Sequence, residues 1–293
     1  MTHSGFVALA GRPNVGKSTL VNAVVGDKVA IVSDRPQTTR RAIRGVRSDG
    51  DCQLVLVDLP GVQRPRDELT TRMAARVQQE LADADVALLV LNGEQGVGPG
   101  DRYIAATLAG ADVPVTIALN KVDRLSRGAT AAALEDAAAL DVADELFPTS
   151  ARTGSGVAAL VEHLSACMPA GPFMFGEQAI SDQTEAVVLA ELVREAVIKR
   201  TFQEIPHAVE VVVEEIEQPR PGLTRVRALI WVESASQKGI LIGAHGRMIK
   251  AIGTAARQEL QRVLSEQVHL DLSVRIRRDW RGDEGLLDRL GIT

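Results

Sequence analysis

Eight residues near the start of the chain, GRPNVGKS at Gly11 to Ser18, match the spacing G-x-x-x-x-G-K-[ST] between an apolar run and a helical one. That spacing suits an oxyanion. Glycines let the backbone N–H groups of Asn14 to Lys17 close around phosphates, and a helix N-terminus favours negative charge there. Lys17 is placed to reach β and γ phosphates, and the Ser18 hydroxyl to ligate Mg2+. Average residue frequencies put a chance match in a chain of this length at about 1%, so a bare glycine turn is the weaker reading.

Three further segments fall where such a loop needs companions. DLPG at Asp58 to Gly61 follows LVLV and sets a carboxylate at a strand end, where it can hold a metal's hydration shell. D-x-x-G is common by chance, so its value is positional, and the Gly61 N–H is the natural sensor of a γ-phosphate. NKVD at Asn120 to Asp123 ends VTIAL. A carboxylate at Asp123 accepts two hydrogen bonds from guanine N1–H and the exocyclic amine, an arrangement that adenine lacks, which predicts GTP over ATP. SAR at Ser150 to Arg152 would close a base pocket through the Ala151 N–H. The candidate nucleotide residues are Gly11, Arg12, Pro13, Asn14, Val15, Gly16, Lys17, Ser18 and Thr19; Asp58, Leu59, Pro60, Gly61 and Val62; Asn120, Lys121, Val122 and Asp123; and Ser150, Ala151 and Arg152. Only six of the 33 basic residues are lysines, and two of those, Lys17 and Lys121, lie inside these motifs, where a compact ammonium fits and a guanidinium does not.

A polar stretch, Ser33 to Gly45, lies between the first two motifs and offers Thr38 or Thr39 as a third metal hydroxyl. After DLPG stands Val62, where many nucleotide hydrolases of this kind carry a water-orienting glutamine. A valine cannot orient water, which predicts slow intrinsic hydrolysis that needs another positioning element.

The elements that must hold these motifs alternate. Phe6–Ala10, Leu54–Asp58, Val86–Asn92, Val113–Asn120 and Leu146–Ser150 read as buried strands, with an edge strand from Arg41 to Asp49. Lys17–Val25, Leu69–Ala82, Asp101–Ala111, Ala129–Leu140 and Gly156–Cys167 read as helices. This order predicts an α/β domain with a mostly parallel sheet and helices on both faces, binding ligands at the carboxyl ends of its strands. MPAGPFMFGEQAISDQ then breaks the pattern and reads as a linker. Beyond it the order becomes helix (Thr184–Thr201), strand (Ala208–Glu217), strand (Thr224–Glu233), two helices (Ser236–Ile242 and Arg247–Ser265) and a strand (Val268–Arg277), an α+β unit.

Length and composition agree with two cores: 293 residues, 45% hydrophobic. No apolar run approaches the roughly 18 residues of a membrane span, and the N-terminus carries no leader pattern. Two cysteines, Cys52 and Cys167, exclude a disulfide framework or a cysteine zinc site, and a reducing cytoplasm is expected. A net charge of −5 speaks against a nucleic-acid partner. The average misleads, because Lys238 to Arg281 holds nine basic residues against four acidic ones, a local +5. GAHG at Gly243 to Gly246 lies in that stretch between two helices. Such a loop clamps a backbone of about four nucleotides, and Lys238, Arg247 and Lys250 flank it to attract phosphate. The same spacing in GEQG at Gly93 to Gly96 has no such context. Trp231 reads as core, Trp280 as either packing or RNA contact, and Glu210 to Glu217 as the solvent face of a strand.

GRPNVGKST, PQTTR, DLPG, NKVD and SAR, in this order, resemble the Era, EngA and TrmE group of bacterial GTPases. SQKGILIGAHGRMIKAIGTAAR and DWRGDEGLLDRLG narrow the resemblance to the Era family, over about Gly5 to Leu290. The resemblance implies a P-loop GTPase domain at residues 1–170, a linker at 171–183 and a type II KH RNA-binding domain at 184–293. It implies a monomer that hydrolyses GTP to GDP and phosphate, binds the 3′ end of 16S rRNA and assists 30S ribosomal subunit assembly and rRNA maturation, with peripheral membrane association. Mg2+ would be held by Ser18, Thr39 and Asp58. Lys17, Thr39, Gly61 and Asn14 would be the catalytic set, with K+ at Asn14. RNA would meet Lys238, Gly243, Ala244, His245, Gly246, Arg247 and Lys250. Two positions depart from the family pattern: Leu59, usually Thr, and His245, often basic. The rival reading is an RNA-binding scaffold that holds GTP or GDP without hydrolysis. An ATPase is countered by Asp123, and an EngA-type protein by the presence of one phosphate loop.

Overall fold

Strands that are apolar on both faces must be covered on both, and this decides the first half of the chain. A computed structural model describes residues 1–33, 38–61, 67–143, 145–202 and 205–292. Its strands β1 (His3–Ala10), β2 (Ile43–Asp49), β3 (Cys52–Asp58), β4 (Val86–Asn92), β5 (Val115–Asn120) and β6 (Glu145–Pro148) form one sheet in the order β2-β3-β1-β4-β5-β6. β2 runs antiparallel to β3 and every other pair is parallel. Helices α1 (Lys17–Val25), α2 (Glu68–Ala82), α3 (Pro99–Ala109), α4 (Arg127–Ala138) and α5 (Val157–Ala166) supply the cover. Pleating sends Val7 and Leu9 of β1 into one core and Ala8 and Ala10 into the other. β1 lies between β3 and β4, so the strand order reverses there, and the loop that follows β1 opens at the switch point.

The elements begin and end where capping dictates. α3 starts at Pro99, two residues before the expected start, because proline suits the first helical turn and the Asp101 carboxylate accepts from the Gly98 N–H at 2.8 Å. Residues 171–183, expected as a linker, are bonded along the first sheet: Ser4 Oγ donates to the Pro172 carbonyl, Val46 N–H to that of Ile180, and the Met174 and Phe175 N–H groups to Gln53 Oε1.

The chain divides into two compact units, the second comprising Gln183–Thr293 with Ile31–Thr38 and Asp67–Leu69. In it α6 (Glu185–Arg200), α7 (Ile205–Ala208), β7 (Glu210–Arg220), β8 (Leu223–Val232), α8 (Ala235–Ile242), α9 (Arg247–Leu264), β9 (Gln267–Ile276) and α10 (Glu284–Arg289) follow in turn. The sheet order is β7-β8-β9, with β8 antiparallel to β7 and parallel to β9. Alternate β8 residues, Val226, Ala228, Ile230 and Val232, meet Leu189, Val193 and Val197 of α6 and Ile252, Ala256 and Leu260 of α9 in one core.

Two residues sit differently from the sequence expectation, and a third resolves between its two readings. Trp280 is fully buried and its Nε1–H donates to the Ala208 carbonyl at 3.0 Å, so it packs. Trp231 is only half-buried, since β8 alternation turns it to the opposite face, where the Arg277 guanidinium lies 5.7 Å from its ring centroid. Glu210, assigned to a solvent face, is 1% exposed and belongs to a set of carboxylates around the buried Arg194. Burial acts against the charge on Arg194, but Glu191, Glu210 and Glu195 outweigh it and raise its pKa above the ordinary value.

Candidate nucleotide-binding and RNA-binding sites

The Gly11–Ser18 loop joins β1 to α1 at the carboxyl edge of the sheet. Gly16 takes φ 104°, and a Cβ there would stand 2.3 Å from Asn120 Nδ2, so only glycine serves. That Asn120 amide donates to the Val15 carbonyl at 3.0 Å, and Lys121 Nζ donates to the Asn14 carbonyl at 2.7 Å. The β5 end thus fixes the crest of the loop. Asn14 is half-buried with φ 65°.

Lys17 is 6% exposed, and its Nζ donates to the carbonyls of Gly11 at 3.1 Å and Arg12 at 3.2 Å. Burial lowers its pKa to about 8, against the pull of Asp58. Asp58 is fully buried; burial raises its pKa, while Lys17, Ser18 and Thr39 work in the other direction. Ser18 Oγ donates to Asp58 Oδ2 at 2.6 Å, Thr39 Oγ1 to the same oxygen at 3.1 Å, and the two hydroxyls are 3.1 Å apart. Asp58 Oδ1 is buried with no hydrogen-bond partner among the described residues. Two hydroxyls and a carboxylate with an unsatisfied oxygen are a hard-donor set of the kind that Mg2+ takes. Thr38 groups instead with the second unit, where its carbonyl accepts from Arg194.

Downstream of Asp58, Leu59 is wholly buried in the core, so a leucine where the family pattern has threonine points into packing. Pro60 is buried, and a Cβ on Gly61 would lie 2.9 Å from Pro13 N and Cγ, which brings the two loops into direct contact. Val62 lies outside the described residues. Thr19 is half-buried on α1, and Val122 opens a short 3-10 turn.

Asp123 follows β5 with both carboxylate oxygens engaged, Oδ1 by the Ser150 hydroxyl at 2.7 Å and Oδ2 by the Arg152 guanidinium at 2.6 Å. Those two partners hold its pKa below the usual carboxylate value. The Ala151 N–H, expected to face a base, donates to Asn120 Oδ1 at 3.0 Å and joins the β5 and β6 loops.

In the second unit Gly243, Ala244, His245 and Gly246 form the turn between α8 and α9, with Gly243, His245 and Gly246 at positive φ. A Cβ on Gly243 would fall 2.8 Å from Met248 Cβ, so the loop is pressed against the start of α9. Ala244, His245, Arg247 and Lys250 are exposed, and Lys238 is half-buried on α8. Behind the loop a groove of about 530 Å3 runs between α9 and β9, lined by Ile249, Lys250, Thr254, Arg257, His269 and Leu270 among others.

Residues 6–121 match the family model of a 50S ribosome-binding GTPase, and residues 204–281 match that of a KH domain. GTPase Era of Mycobacterium tuberculosis H37Rv is 43% identical over 99% of this chain and 98% of its own, and that of Halothermothrix orenii is 40% identical over 98% of each. The chain belongs to the Era family of GTPases. Two solved Era structures, each 32% identical and covering 100% of both chains, superpose with TM-scores of 0.94 and 0.93. The first is Era in complex with MgGDPNP and nucleotides 1506–1542 of 16S ribosomal RNA, and the second is a variant of Aquifex aeolicus Era bound to GDP and AlF4−. Among the described residues of this Era-family chain no helix is long and apolar enough to cross a membrane.

Sequence reasoning passed over Arg257 and His269 of the groove and the Trp231–Arg277 pair. Arg257 was within reach, because it stands seven residues after Lys250, on the same face of α9. His269 depends on strand β9 lying beside α9, which no local pattern announces.

Proposed function

We propose that this protein binds GTP with Mg2+, hydrolyses it to GDP and phosphate, and engages the 3′ end of 16S rRNA during assembly of the 30S subunit. The G domain is residues 1–170 and the KH domain residues 184–293. The observation that carries the nucleotide half is the convergence of Ser18 and Thr39 on Asp58 beside the buried Lys17.

The backbone N–H groups of Asn14 to Lys17 receive the β-phosphate, Lys17 spans β and γ oxygens, and Gly61 N–H faces the γ-phosphate. As the bond to the γ-phosphoryl breaks, negative charge gathers on oxygens that Lys17 already addresses, so stabilisation needs no rearrangement. Ser18, Thr39 and Asp58 would hold Mg2+, which would supply positive charge against the phosphates. Asp123 reads guanine, with Ser150 orienting its carboxylate. Asn14 offers a neutral side-chain oxygen, the donor type for K+; equal hydrolysis rates in potassium and sodium would remove that assignment.

For RNA, the GAHG turn approaches the backbone while Lys238, Arg247 and Lys250 supply charge. The nucleotide state biases RNA affinity, and RNA must then bias nucleotide affinity by the same factor. The protein works as a cytoplasmic monomer with peripheral membrane association. Crosslinking the GTP-bound chain in cells and sequencing the RNA tests the partner: reads concentrate at the 16S 3′ end, whereas an even spread over cellular RNA overturns it. Phosphate release measured with that RNA present separates the enzyme from the scaffold, which would release none.

A further inference from the structure

The loop GEQGVGPGD, Gly93 to Asp101, follows β4 and shares its G-x-x-G spacing with the RNA loop, yet its contacts lead to the phosphate loop. Asp101 is fully buried on the first turn of α3 and divides its carboxylate between two tasks. Oδ2 accepts the Gly98 N–H at 2.8 Å, which starts the helix, and Oδ1 accepts Arg12 Nε at 2.8 Å. A second Arg12 nitrogen donates to the Gly96 carbonyl at 3.4 Å. A Cβ on Gly100 would press within 2.7 Å of Arg12 Cδ, so the arginine stem lies flat on a glycine surface. The Arg12 side chain therefore points to α3, while its backbone belongs to the phosphate loop. The carbonyls of Gly11 and Arg12 are the two that Lys17 Nζ uses, and the next residue, Pro13, abuts Gly61.

We propose that Asp101 is a positioning residue for GTP hydrolysis: through Arg12 it pins residues 11–13, so that Lys17 and Gly61 meet the γ-phosphate in register. The proposal rests on the nucleotide reading above. It separates γ-phosphate from β-phosphate, because the N–H groups that hold the β-phosphate lie beyond the pinned arm, at Asn14 to Lys17.

The experiment compares the affinity of the full chain for GDP and for a non-hydrolysable GTP analogue, both with Mg2+, in Asp101→Asn, Arg12→Gln and the double variant. Asp101→Asn keeps an oxygen for the Gly98 N–H, and Arg12→Gln keeps the aliphatic stem over Gly100. Each single change is expected to weaken the analogue about tenfold relative to GDP, the scale of one charge-assisted hydrogen bond. The double variant should be no worse than the weaker single one, since both remove the same pair. Arg12→Lys should fall between wild type and Arg12→Gln. A structural role alone would weaken GDP and the analogue in equal proportion, or make the two changes additive, and either result overturns the proposal. If the unmodified chain binds neither nucleotide, the nucleotide reading falls first and this one with it.

Discussion

Lys17 titrates close to neutrality because the chain withholds water from it: burial takes its pKa to about 8, and Asp58 only partly restores the charge. A bound polyphosphate adds negative charge and raises that pKa, so binding above pH 8 requires uptake of a proton. Nucleotide affinity should therefore be level below pH 8 and fall by up to about tenfold per pH unit above it, as GDP titrations between pH 7 and 9 would record. A level curve throughout would mean that Lys17 stays charged. Asp123 differs, since Ser150 and Arg152 keep its carboxylate ionised. Asp123→Asn should lower GTP affinity by about two orders of magnitude, two hydrogen bonds to a charged acceptor, and improve binding of xanthosine triphosphate. Unchanged GTP affinity would sink the guanine assignment. Lys17, Ser18, Asp58 and Asp123 were picked out as candidates because each stands in a short motif of fixed spacing at the end of a strand. The Arg12–Asp101 and Asp123–Arg152 pairs were not, because they join residues far apart in the chain.

Helix α6 was legible as a helix, but its most consequential residue was not. Arg194 lies 1% exposed among Glu191, Glu195 and Glu210, two from its own helix and one from β7. Removing one partner from a buried charged set leaves the others uncompensated, so Arg194→Met should cost about 3–5 kcal/mol by urea denaturation. A loss under about 1 kcal/mol would mean that water or another cation takes its place. The strands were recovered to within a few residues because continuous apolar runs and period-2 alternation are strong signals. Short α7 and α10 passed unseen, since four and six residues carry too little periodicity. Trp231 was misplaced although the parity of β8 already put it opposite Val226, Ala228 and Ile230. Trp280 stayed between packing and RNA contact, because its partner, the Ala208 carbonyl, ends the short helix α7, where the pattern showed only the start of a strand.

On the scale of the whole molecule, the charge of −5 is an average over unlike parts, and the segment from Lys238 to Arg281 departs from it with nine basic residues against four acidic ones. If Lys238, Arg247 and Lys250 each displace a condensed counterion, the logarithm of RNA affinity should fall with the logarithm of salt at a slope of about −2, and replacing any one by glutamine should flatten it by about 0.7. A slope near zero would move recognition from phosphate to bases. The two-domain count read from length and from the proline- and glycine-rich break at Met168 to Gln183 matches two compact units. What the sequence did not reveal is that this break runs along the first sheet, because its polar groups are met by side chains far back in the chain, Ser4, Arg44 and Gln53. The placement of the aromatic residues also decides what light can report. Both tryptophans belong to the second unit, and the chain's single tyrosine, Tyr103, belongs to the first. Intrinsic emission excited at the red edge therefore comes from the second unit alone, with Trp280 shielded from collisional quenchers and Trp231 open to them. Melting of the first unit will pass unnoticed in that channel, and any stabilisation by guanine nucleotide must be followed by calorimetry or an extrinsic dye.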